Sequence, residues 1–443
     1  MAQGTAARVQ RTYLTLVLLT TLSASLIWGI NTLFLLDAGL SNLEAFGANA
    51  FFTAGMVLFE VPTGVVADLR GRRVSFLLGA LTLALSTLLY VLMWQVEAPF
   101  WAWAVASVLL GLGFTFFSGA MEAWLVDALT GTGYTGELDT VFGRGQAVEG
   151  VAMLSGSVLG GIVAQATNLG VPFVLRAALL GVTFALAFVL MHDIGFTPAR
   201  GRRPGPEVKR ILDDSLRYGL GRPAIRWIML TSPFVGGVSI YAFYAMQPYL
   251  LELYGDPEAY GVAGLAAAIV AGAQIAGGLL APRLRGVFRR RTSLLLTTTA
   301  IGVVALLLIS VIPSFVAVIA LLVLWSMAFA TEMPVRQAYL NQLIPSPQRA
   351  TVLSFDSLLA SGGGVVIQPA FGRAADVWGY PATFALSAGV QALALPFIRL
   401  AQRERSPADR TVREPARPVT DQLRPTRCAE GGPCVAAAGR MVR

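Results

Sequence analysis

The sequence predicts an all-α integral membrane protein with twelve transmembrane helices, arranged as two pseudo-symmetric six-helix bundles. Three observations lead to this fold class: an apolar composition, apolar segments of spanning length along the whole chain, and a repeat between its two halves. Of the 443 residues, 55% are hydrophobic and only 13% are charged, and the mean hydropathy is +0.66. A soluble protein of this composition would expose large apolar patches, which aggregate. Lipid must therefore surround most of this chain.

The same composition argues against several function classes. One histidine and two cysteines leave too few ligands for a zinc, haem or iron–sulfur site, so we expect no metal and no cofactor. His192 offers no nucleophile–histidine pair, and we therefore do not expect an enzyme. The net charge of +8 does not indicate nucleic-acid binding, because the basic residues cluster in the loops between apolar segments.

Twelve apolar stretches account for most of the chain. A helix needs about 20 predominantly apolar residues to cross a bilayer, and the stretches that meet this length follow one another with a single long polar gap in the middle. The predicted spans are 13–37, 46–67, 74–95, 99–122, 141–166, 171–192, 226–250, 260–282, 292–312, 315–338, 352–375 and 380–400.

The placement of arginine predicts the orientation. Loops on one side carry the basic residues, such as Arg70, Arg72 and Arg73 after the second span, whereas the loops on the other side carry no lysine or arginine. Positively charged loops stay in the cytoplasm. Both termini are therefore predicted to be cytoplasmic, in the bacterial cytoplasmic (inner) membrane.

Polar segments divide the chain into domains. Residues 1–12 are predicted to form a cytoplasmic N-terminal tail, 13–192 the N-terminal six-helix bundle and 226–400 the C-terminal bundle. Between the bundles, 193–225 combines prolines and charges, which predicts a cytoplasmic linker with an amphipathic helix along the membrane. Residues 401–443 are rich in arginine and proline and are predicted to form a disordered cytoplasmic tail.

The two halves share sequence features at matching positions. Gly-x-Pro opens both the sixth and the twelfth span, Thr-Val opens both the fifth and the eleventh, and a glutamate lies in both the fourth and the tenth. A constant displacement, here 209 to 211 residues, indicates an internal repeat. The matching pairs are Glu122 and Glu332, Val141 and Val352, and Pro172 and Pro381.

A short motif follows the second span. Residues 64–73 read Gly-Val-Val-Ala-Asp-Leu-Arg-Gly-Arg-Arg. This stretch resembles the signature Gly-x-x-x-Asp-Arg/Lys-x-Gly-Arg-Arg/Lys that the major facilitator superfamily carries between its second and third spans. Leu69 stands where the family has a basic residue, with an arginine beside it. The equivalent place in the second half has Pro282 in the position of the aspartate.

The resemblance covers residues 13 to 400 and implies a secondary transporter whose motif gates the cytoplasmic end. Asp68 ends a helix, where the macrodipole repels a carboxylate, and would lie against the start of the eleventh span near Thr351. Arg72 would pair with Asp127. The alternative is a plain positively charged loop. The predicted gating residues are Gly64, Asp68, Arg70, Gly71, Arg72, Arg73 and Asp127.

The fifth span carries a second resemblance, to the family's antiporter motif Gly-x8-Gly-x3-Gly-Pro-x2-Gly-Gly. Gly143, Gly156, Gly160 and Gly161 match it, whereas alanine and serine replace the second glycine and the proline. The match favours export, as in the drug/proton antiporter branch of the family. The alternative is that the small residues only allow close helix packing.

Ionisable residues inside the spans are costly and therefore informative. A proton-coupled carrier needs a carboxylate that is protonated in one state and ionised in the other, and partial burial favours the protonated form. Glu60, Glu122 and Glu149 are the candidates for this coupling, with salt bridges in the cytoplasmic gate as the alternative. Glu332 and Arg336, one turn apart in the tenth span, are predicted to form a structural or gating ion pair.

A substrate cavity is expected near the membrane midplane, between the two halves. Aromatic walls with a few amides suit amphipathic or aromatic ligands better than sugars, and plain helix packing is the alternative for each aromatic residue. The predicted lining residues are Trp28, Asn31, Phe114, Phe117, Tyr241, Tyr244, Gln247, Gln274, Trp325 and Phe329.

These observations predict a monomeric secondary active transporter that moves a small-molecule substrate across the lipid bilayer by alternating access. The predicted activity is efflux of small hydrophobic or amphipathic compounds, driven by the proton gradient. Two alternatives remain: an importer or facilitator of a specific metabolite, and a non-transporting membrane sensor with the same fold. An arginine that faces the cavity, either Arg176 or Arg336, would favour anionic substrates and the importer.

Overall fold

The structure is a computed structural model and describes residues 2–117, 119–196, 215–345 and 348–410. Within these ranges, eleven helical stretches are long and apolar enough to cross a membrane. The last of them, Thr351–Arg403, has 53 residues, or about 80 Å of helix, which is far more than one crossing needs. It crosses twice, because Gly379 has a φ of 78° and turns the chain. The twelve predicted spans are therefore confirmed.

Short breaks interrupt the first, fourth and seventh spans, so that each consists of two helices. In chain order, the spans are Ala2–Trp28 with Asn31–Asp37, Asn42–Arg70, Arg72–Gln95, Phe100–Phe117 with Ala120–Gly131, Leu138–Ala166, Gly170–Leu190, Pro223–Met229 with Ser232–Tyr254, Tyr260–Val287, Arg291–Val311, Phe315–Leu343, and Arg349–Ala392, which Gly379 divides into the eleventh and twelfth spans, the latter continuing as Ala394–Arg403.

The spans form two bundles with equivalent packing. In the first bundle the first span packs on the fifth and the second on the fourth, and in the second bundle the seventh packs on the eleventh and the eighth on the tenth. Between the bundles the second span packs on the eleventh and the fifth on the eighth. The second span corresponds to the eighth, and the fifth to the eleventh, in the two halves of the repeat. The two contacts between the bundles are therefore equivalent, as a two-fold repeat requires.

The bundles are tied together at the end opposite the motif loop (residues 64–73), which we name the distal end. Asp376, which ends the eleventh span, accepts hydrogen bonds from the backbone nitrogens of Asn42 (2.9 Å) and Leu43 (3.0 Å), the first two residues of the second span. Gln247 of the seventh span donates to the carbonyl oxygen of Trp28 (2.9 Å) and accepts from the nitrogen of Thr32 (2.9 Å). These contacts hold the halves against each other at this end.

The ends of the chain are more structured than their composition predicts. The first helix begins at Ala2, within the predicted tail, because Val9 and Thr12 are buried against the first bundle. Residues 401–410 do not belong to a disordered tail either: the last helix runs to Arg403, and Asp409 is 2% exposed. The part of the predicted linker helix at residues 197–214 lies outside the described residues, whereas Ser215–Leu220, within the predicted linker, form a short helix. The rest of the predicted tail, 411–443, also lies outside the described residues.

Candidate functional site: a central pocket with a buried arginine

A pocket of about 260 Å³, which we name the central pocket, lies in the first bundle where that bundle meets the seventh span. Six spans of the first bundle contribute to it, and Tyr244 of the seventh span closes it from the second bundle. Its lining residues are Ala24, Ile27, Trp28, Asn31, Asn49, Phe52, Tyr90, Leu110, Phe114, Met153, Arg176 and Tyr244. The walls are therefore largely apolar and aromatic, with few polar groups, as in most sites for small molecules.

Arg176 is the only charged side chain among these lining residues. The Asn168 side chain caps the sixth span by accepting from the nitrogens of Gly170 (3.0 Å) and Val171 (3.1 Å), which places Arg176 about 9 Å along the helix from that distal start. The side chain is 8% exposed, and its Nε has no hydrogen-bond partner. No carboxylate among the described residues pairs with it. An isolated cation at such a depth costs several kcal/mol.

Two tyrosines and two asparagines supply the other polar groups of the pocket. Tyr90 and Tyr244 lie within electrostatic range of the guanidinium, and the Tyr90 hydroxyl is hydrogen-bonded to Ser107 at 2.5 Å. Asn31 donates from Nδ2 to Oδ1 of Asn49 (2.9 Å), and the Nδ2 of Asn49 has no partner. The pocket thus combines a buried cation with an unused amide donor, both of which suit a negatively charged oxygen.

Four of the predicted cavity residues line this pocket: Trp28, Asn31, Phe114 and Tyr244. Trp28 stacks on Phe243 of the second bundle, with ring centroids 4.4 Å apart. Gln247, also predicted to line the cavity, instead spans the two bundles through the hydrogen bonds described above.

The other five predicted cavity residues lie elsewhere. Phe117 packs on Phe76 (4.7 Å between centroids) in the first bundle, and Gln274 is half-buried in the eighth span. Helix packing accounts for the remaining three, since Tyr241 lies between the two bundles and Trp325 and Phe329 lie inside the second bundle. Tyr241 is fully buried against Phe46 and Phe371, Trp325 donates to Gln391 at 3.3 Å, and Phe329 stacks on Trp325.

The motif loop forms a turn that joins three spans. Arg72 forms a salt bridge with Asp68 at 2.8 Å and lies 3.9 Å from Asp127, the partner that the resemblance implies. Gly71 has a φ of 104°, which favours glycine, and a Cβ there would lie 2.2 Å from the carboxylate of Asp193. Asp193, which follows the sixth span, accepts from the nitrogen of Arg73 at 2.9 Å. Sequence reasoning missed Asp193, since nothing in the chain near it marks the partnership.

The carboxylates proposed for proton coupling lie outside the central pocket. Glu60, Glu122 and Glu149 are exposed, in the half of the first bundle nearer the motif loop. Glu149 is within electrostatic range of Glu122, and the hydroxyl of Tyr13 is within range of both. Glu122 and Glu149 therefore form one acidic cluster with Tyr13, whereas Glu60 stands on the second span.

The predicted ion pair between Glu332 and Arg336 is replaced by two separate contacts. Arg336 forms a salt bridge with Asp356 of the eleventh span (2.6 Å between Nη2 and Oδ1) and no salt bridge with Glu332, although the two charges lie within electrostatic range. Glu332 is 3% exposed and accepts from the hydroxyl of Thr299 at 3.0 Å. The local spacing of four residues allowed the pair, but neighbouring spans offer each side chain a closer partner.

Three of the four glycines that match the antiporter motif lie at close helix contacts. A Cβ at Gly156 would lie 1.9 Å from the side chain of Ser25 in the first span, and a Cβ at Gly160 would lie 1.8 Å from the backbone of Leu26 in the same span. A Cβ at Gly161 would lie 2.6 Å from the carbonyl oxygen of Tyr260 in the eighth span. Nothing lies within 4 Å of a Cβ at Gly143. The pattern serves close packing, both inside the first bundle and between bundles.

Comparison with known proteins identifies the family and the solved structures that share this fold. The family model described as Major Facilitator Superfamily matches residues 13–331 and 259–437. A mutant of the nucleoside transporter NupG gives a TM-score of 0.72 at 14% identity, covering 88% of this chain and 99% of its own. A bacterial homologue of the human lysosomal transporter Spinster, in an inward-facing and unoccupied conformation, gives 0.69 at 16% identity, covering 90% and 97%.

A third solved structure, a POT family transporter in complex with 5-aminolevulinic acid, gives a TM-score of 0.66 at 13% identity, covering 89% of this chain and 95% of its own. None of the curated proteins matches the sequence. Identities this low show a shared fold and leave the substrate open. Since the family model extends over most of the chain and the twelve spans form the two bundles that this fold requires, the chain belongs to the major facilitator superfamily.

Proposed function

We propose that this protein carries small organic anions with an aromatic or apolar body across the membrane by alternating access. One observation carries the proposal: Arg176 is buried in the central pocket without a carboxylate partner among the described residues. A substrate carboxylate, sulfonate or phosphate would supply the missing charge and remove much of the cost of burying the arginine. The planar guanidinium also binds such groups through two parallel hydrogen bonds.

The remainder of the pocket supports an amphipathic anion. Phe52 and Phe114 meet edge to face, with centroids 6.0 Å apart, and Trp28 offers a third ring. These rings would contact the apolar body of the substrate, and the free Nδ2 of Asn49 would donate to its anionic group. A volume of about 260 Å³ suits a molecule of one or two rings.

Closure at the distal end supports alternating access. With the positively charged motif loop in the cytoplasm, the contacts of Asp376 and Gln247 would close the outer side, as an inward-facing state requires. The bacterial homologue of Spinster, which has the same fold, is itself in an inward-facing conformation. Release of the distal contacts and closure at the motif loop would turn the pocket outward.

Proton-driven efflux of neutral or cationic amphipathic compounds is the second candidate. The acidic cluster of Glu122, Glu149 and Tyr13 favours it, because a second carboxylate within electrostatic range disfavours the ionised form of the first. Buried Glu332, with only hydroxyl donors as hydrogen-bond partners, is a further candidate for coupling. Arg176 argues against cationic substrates in the same pocket, because like charges repel at low dielectric.

Transport into proteoliposomes distinguishes the two candidates. Benzenesulfonate and phenyl phosphate serve as anions and benzyltrimethylammonium as the matched cation, since all three remain charged and cross lipid slowly. We expect uptake of the anions above protein-free liposomes, a decrease of about 30-fold or more in Arg176→Gln, and partial retention in Arg176→Lys, which keeps the charge without the planar fork. Arg283→Gln, at an exposed arginine, is the control.

Transport of the cation without the anions, unaffected by Arg176→Gln, would overturn the proposal in favour of efflux. Uptake of neither class would overturn it as well. The same assay in everted vesicles, with a pH-sensitive dye and the variants Glu122→Gln, Glu149→Gln and Glu332→Gln, tests which carboxylate couples transport to protons.

A further inference from the structure

A long groove runs along the outer face of the second bundle, away from the central pocket. It has a volume of about 970 Å³ and lies between the ninth, tenth and twelfth spans. Its floor and walls are apolar, and several of its side chains are well exposed, among them Ile301 (37%), Val304 (54%) and Leu324 (47%). On this face of a membrane protein, the exposed surface contacts lipid.

The groove matches the depth of one leaflet. Along the twelfth span it extends from Ala392 to Arg403, a rise of about 16 Å. Half of the hydrocarbon core of a bilayer is about 15 Å thick. The groove therefore begins near the middle of the membrane and ends near its surface, on the side of the motif loop.

Two arginines, Arg399 and Arg403, stand at the surface end of the groove. They are four residues apart and so share one face of the helix, and both are exposed. In the part of the chain that the structure describes, neither forms a salt bridge or a hydrogen bond through its side chain. The neighbouring Glu404 is engaged elsewhere, since it accepts from the indole nitrogen of Trp227 at 3.2 Å.

The surroundings of Trp227 indicate the depth of these arginines in the membrane. Its ring stacks on Phe397 of the twelfth span, 6.2 Å between centroids, and Arg226 lies over it at 4.5 Å. Tryptophan with such neighbours is typical of the boundary between hydrocarbon and headgroups. Arg399 and Arg403 therefore stand at the height of the lipid phosphates.

We propose that this groove binds one anionic phospholipid, with an acyl chain along the apolar floor and the phosphate between Arg399 and Arg403. Positive charge at the headgroup level, without acidic partners, favours anionic over zwitterionic lipid. The ninth and twelfth spans that form the groove also pack on each other, so the lipid would brace this side of the second bundle. The proposal is independent of the substrate of the central pocket.

Native mass spectrometry of the full chain in detergent tests the proposal, with dioleoyl-phosphatidylglycerol and dioleoyl-phosphatidylcholine as probes. We expect the wild type to bind one phosphatidylglycerol on the order of 20-fold more tightly than phosphatidylcholine. The double variant Arg399→Gln/Arg403→Gln should lose this preference. The control Arg283→Gln/Arg289→Gln removes two other exposed arginines on the same side and should keep it.

Two further measurements separate a built site from surface charge. Ala300→Phe fills the groove and leaves both arginines in place, so it should weaken phosphatidylglycerol binding. Inorganic phosphate should not compete at millimolar concentration, because the acyl chain supplies most of the contact. Equal binding of the two lipids by the wild type, unchanged preference in the double variant, or displacement by phosphate would each overturn the proposal. Unfolding temperatures without lipid verify that the variants are folded.

Discussion

At the scale of single residues, the glycines of the fifth span differ in the space around them. A Cβ at Gly160 would stand 1.8 Å from the carbonyl oxygen of Leu26, which is backbone and cannot rotate away. A Cβ at Gly143 would have no other atom within 4 Å. Two members of one sequence pattern therefore have different physical roles, and only the first is required for helix contact.

Substitution by alanine separates these roles. Gly160→Ala should lower the free energy of unfolding by about 1–3 kcal/mol, because the first and fifth spans must move apart. Gly143→Ala should leave it unchanged or raise it slightly, since alanine favours the helix. Thermal unfolding in detergent measures both. Equal unfolding temperatures for the two variants would contradict the packing argument.

The residue scale also shows where sequence reasoning stops. The sixth span is apolar on every face, because both lipid and protein neighbours select apolar side chains in a membrane. Its hydrophobic pattern therefore does not reveal that Arg176 faces the pocket. The partner of Arg336 was missed for a related reason: Glu332 is near in sequence, whereas Asp356 approaches only through the tertiary fold.

At the scale of elements, carboxylates from distant parts of the chain cap three helix starts. Asp193 caps the third span, Asp376 the second and Asp409 the ninth. Each accepts from backbone nitrogens that the helix itself leaves unpaired, at the end where the macrodipole favours negative charge. These caps fix how one helix end lies relative to another, which hydropathy does not determine.

Asp409 provides the clearest test of such a cap. Its two oxygens accept from the nitrogen (2.8 Å) and the hydroxyl (2.9 Å) of Thr292 in a buried position. Asp409→Ala should therefore reduce the free energy of unfolding by about 1–3 kcal/mol, and Asp409→Asn, which keeps one acceptor, should reduce it less. The unfolding temperature measures the effect. An unchanged unfolding temperature in Asp409→Ala would show that the last described turn contributes little to stability.

The same residue explains why the predicted end of the second bundle was too early. Composition changes at about residue 401, where arginine and proline become frequent, and this change predicts disorder. One buried aspartate and the bond from Arg291 to the carbonyl of Ala408 (2.7 Å) are enough to order the next turn. Amino-acid composition is an average over many residues and therefore does not reveal two specific contacts.

At the scale of the whole molecule, the number of spans and their division into two bundles follow from hydropathy and from the repeat, and the structure confirms both. The conformation could not be predicted, because each state exposes the same spans to lipid. It depends on a few contacts between the bundles, of which those of Asp376 are the most specific.

Asp376→Asn tests this dependence. Loss of the carboxylate weakens two hydrogen bonds at the start of the second span, which should shift the population toward the state open at the distal end by about 5- to 100-fold. Spin labels on Leu43→Cys and Val377→Cys, with the native cysteines replaced, report the distance between the bundles.

Asp256→Asn is the matched control, because the Asp256 carboxylate accepts only from the nitrogen of Glu258 in its own loop. It should leave the distance distribution unchanged. An unchanged distribution in Asp376→Asn would show that other contacts, such as those of Gln247, hold the distal end alone.

The unpaired charge of Arg176 also exposes the empty carrier to the membrane potential. When the bundles rock without substrate, this cation moves through part of the transmembrane electric field, and a full crossing corresponds to about 2.3 kcal/mol per 100 mV. A bound anion would cancel the charge and make reorientation electrically silent. We therefore expect voltage steps on protein adsorbed to a solid-supported membrane to produce a displacement current without substrate, and Arg176→Gln to decrease it. Identical currents in both proteins would place Arg176 outside the moving field.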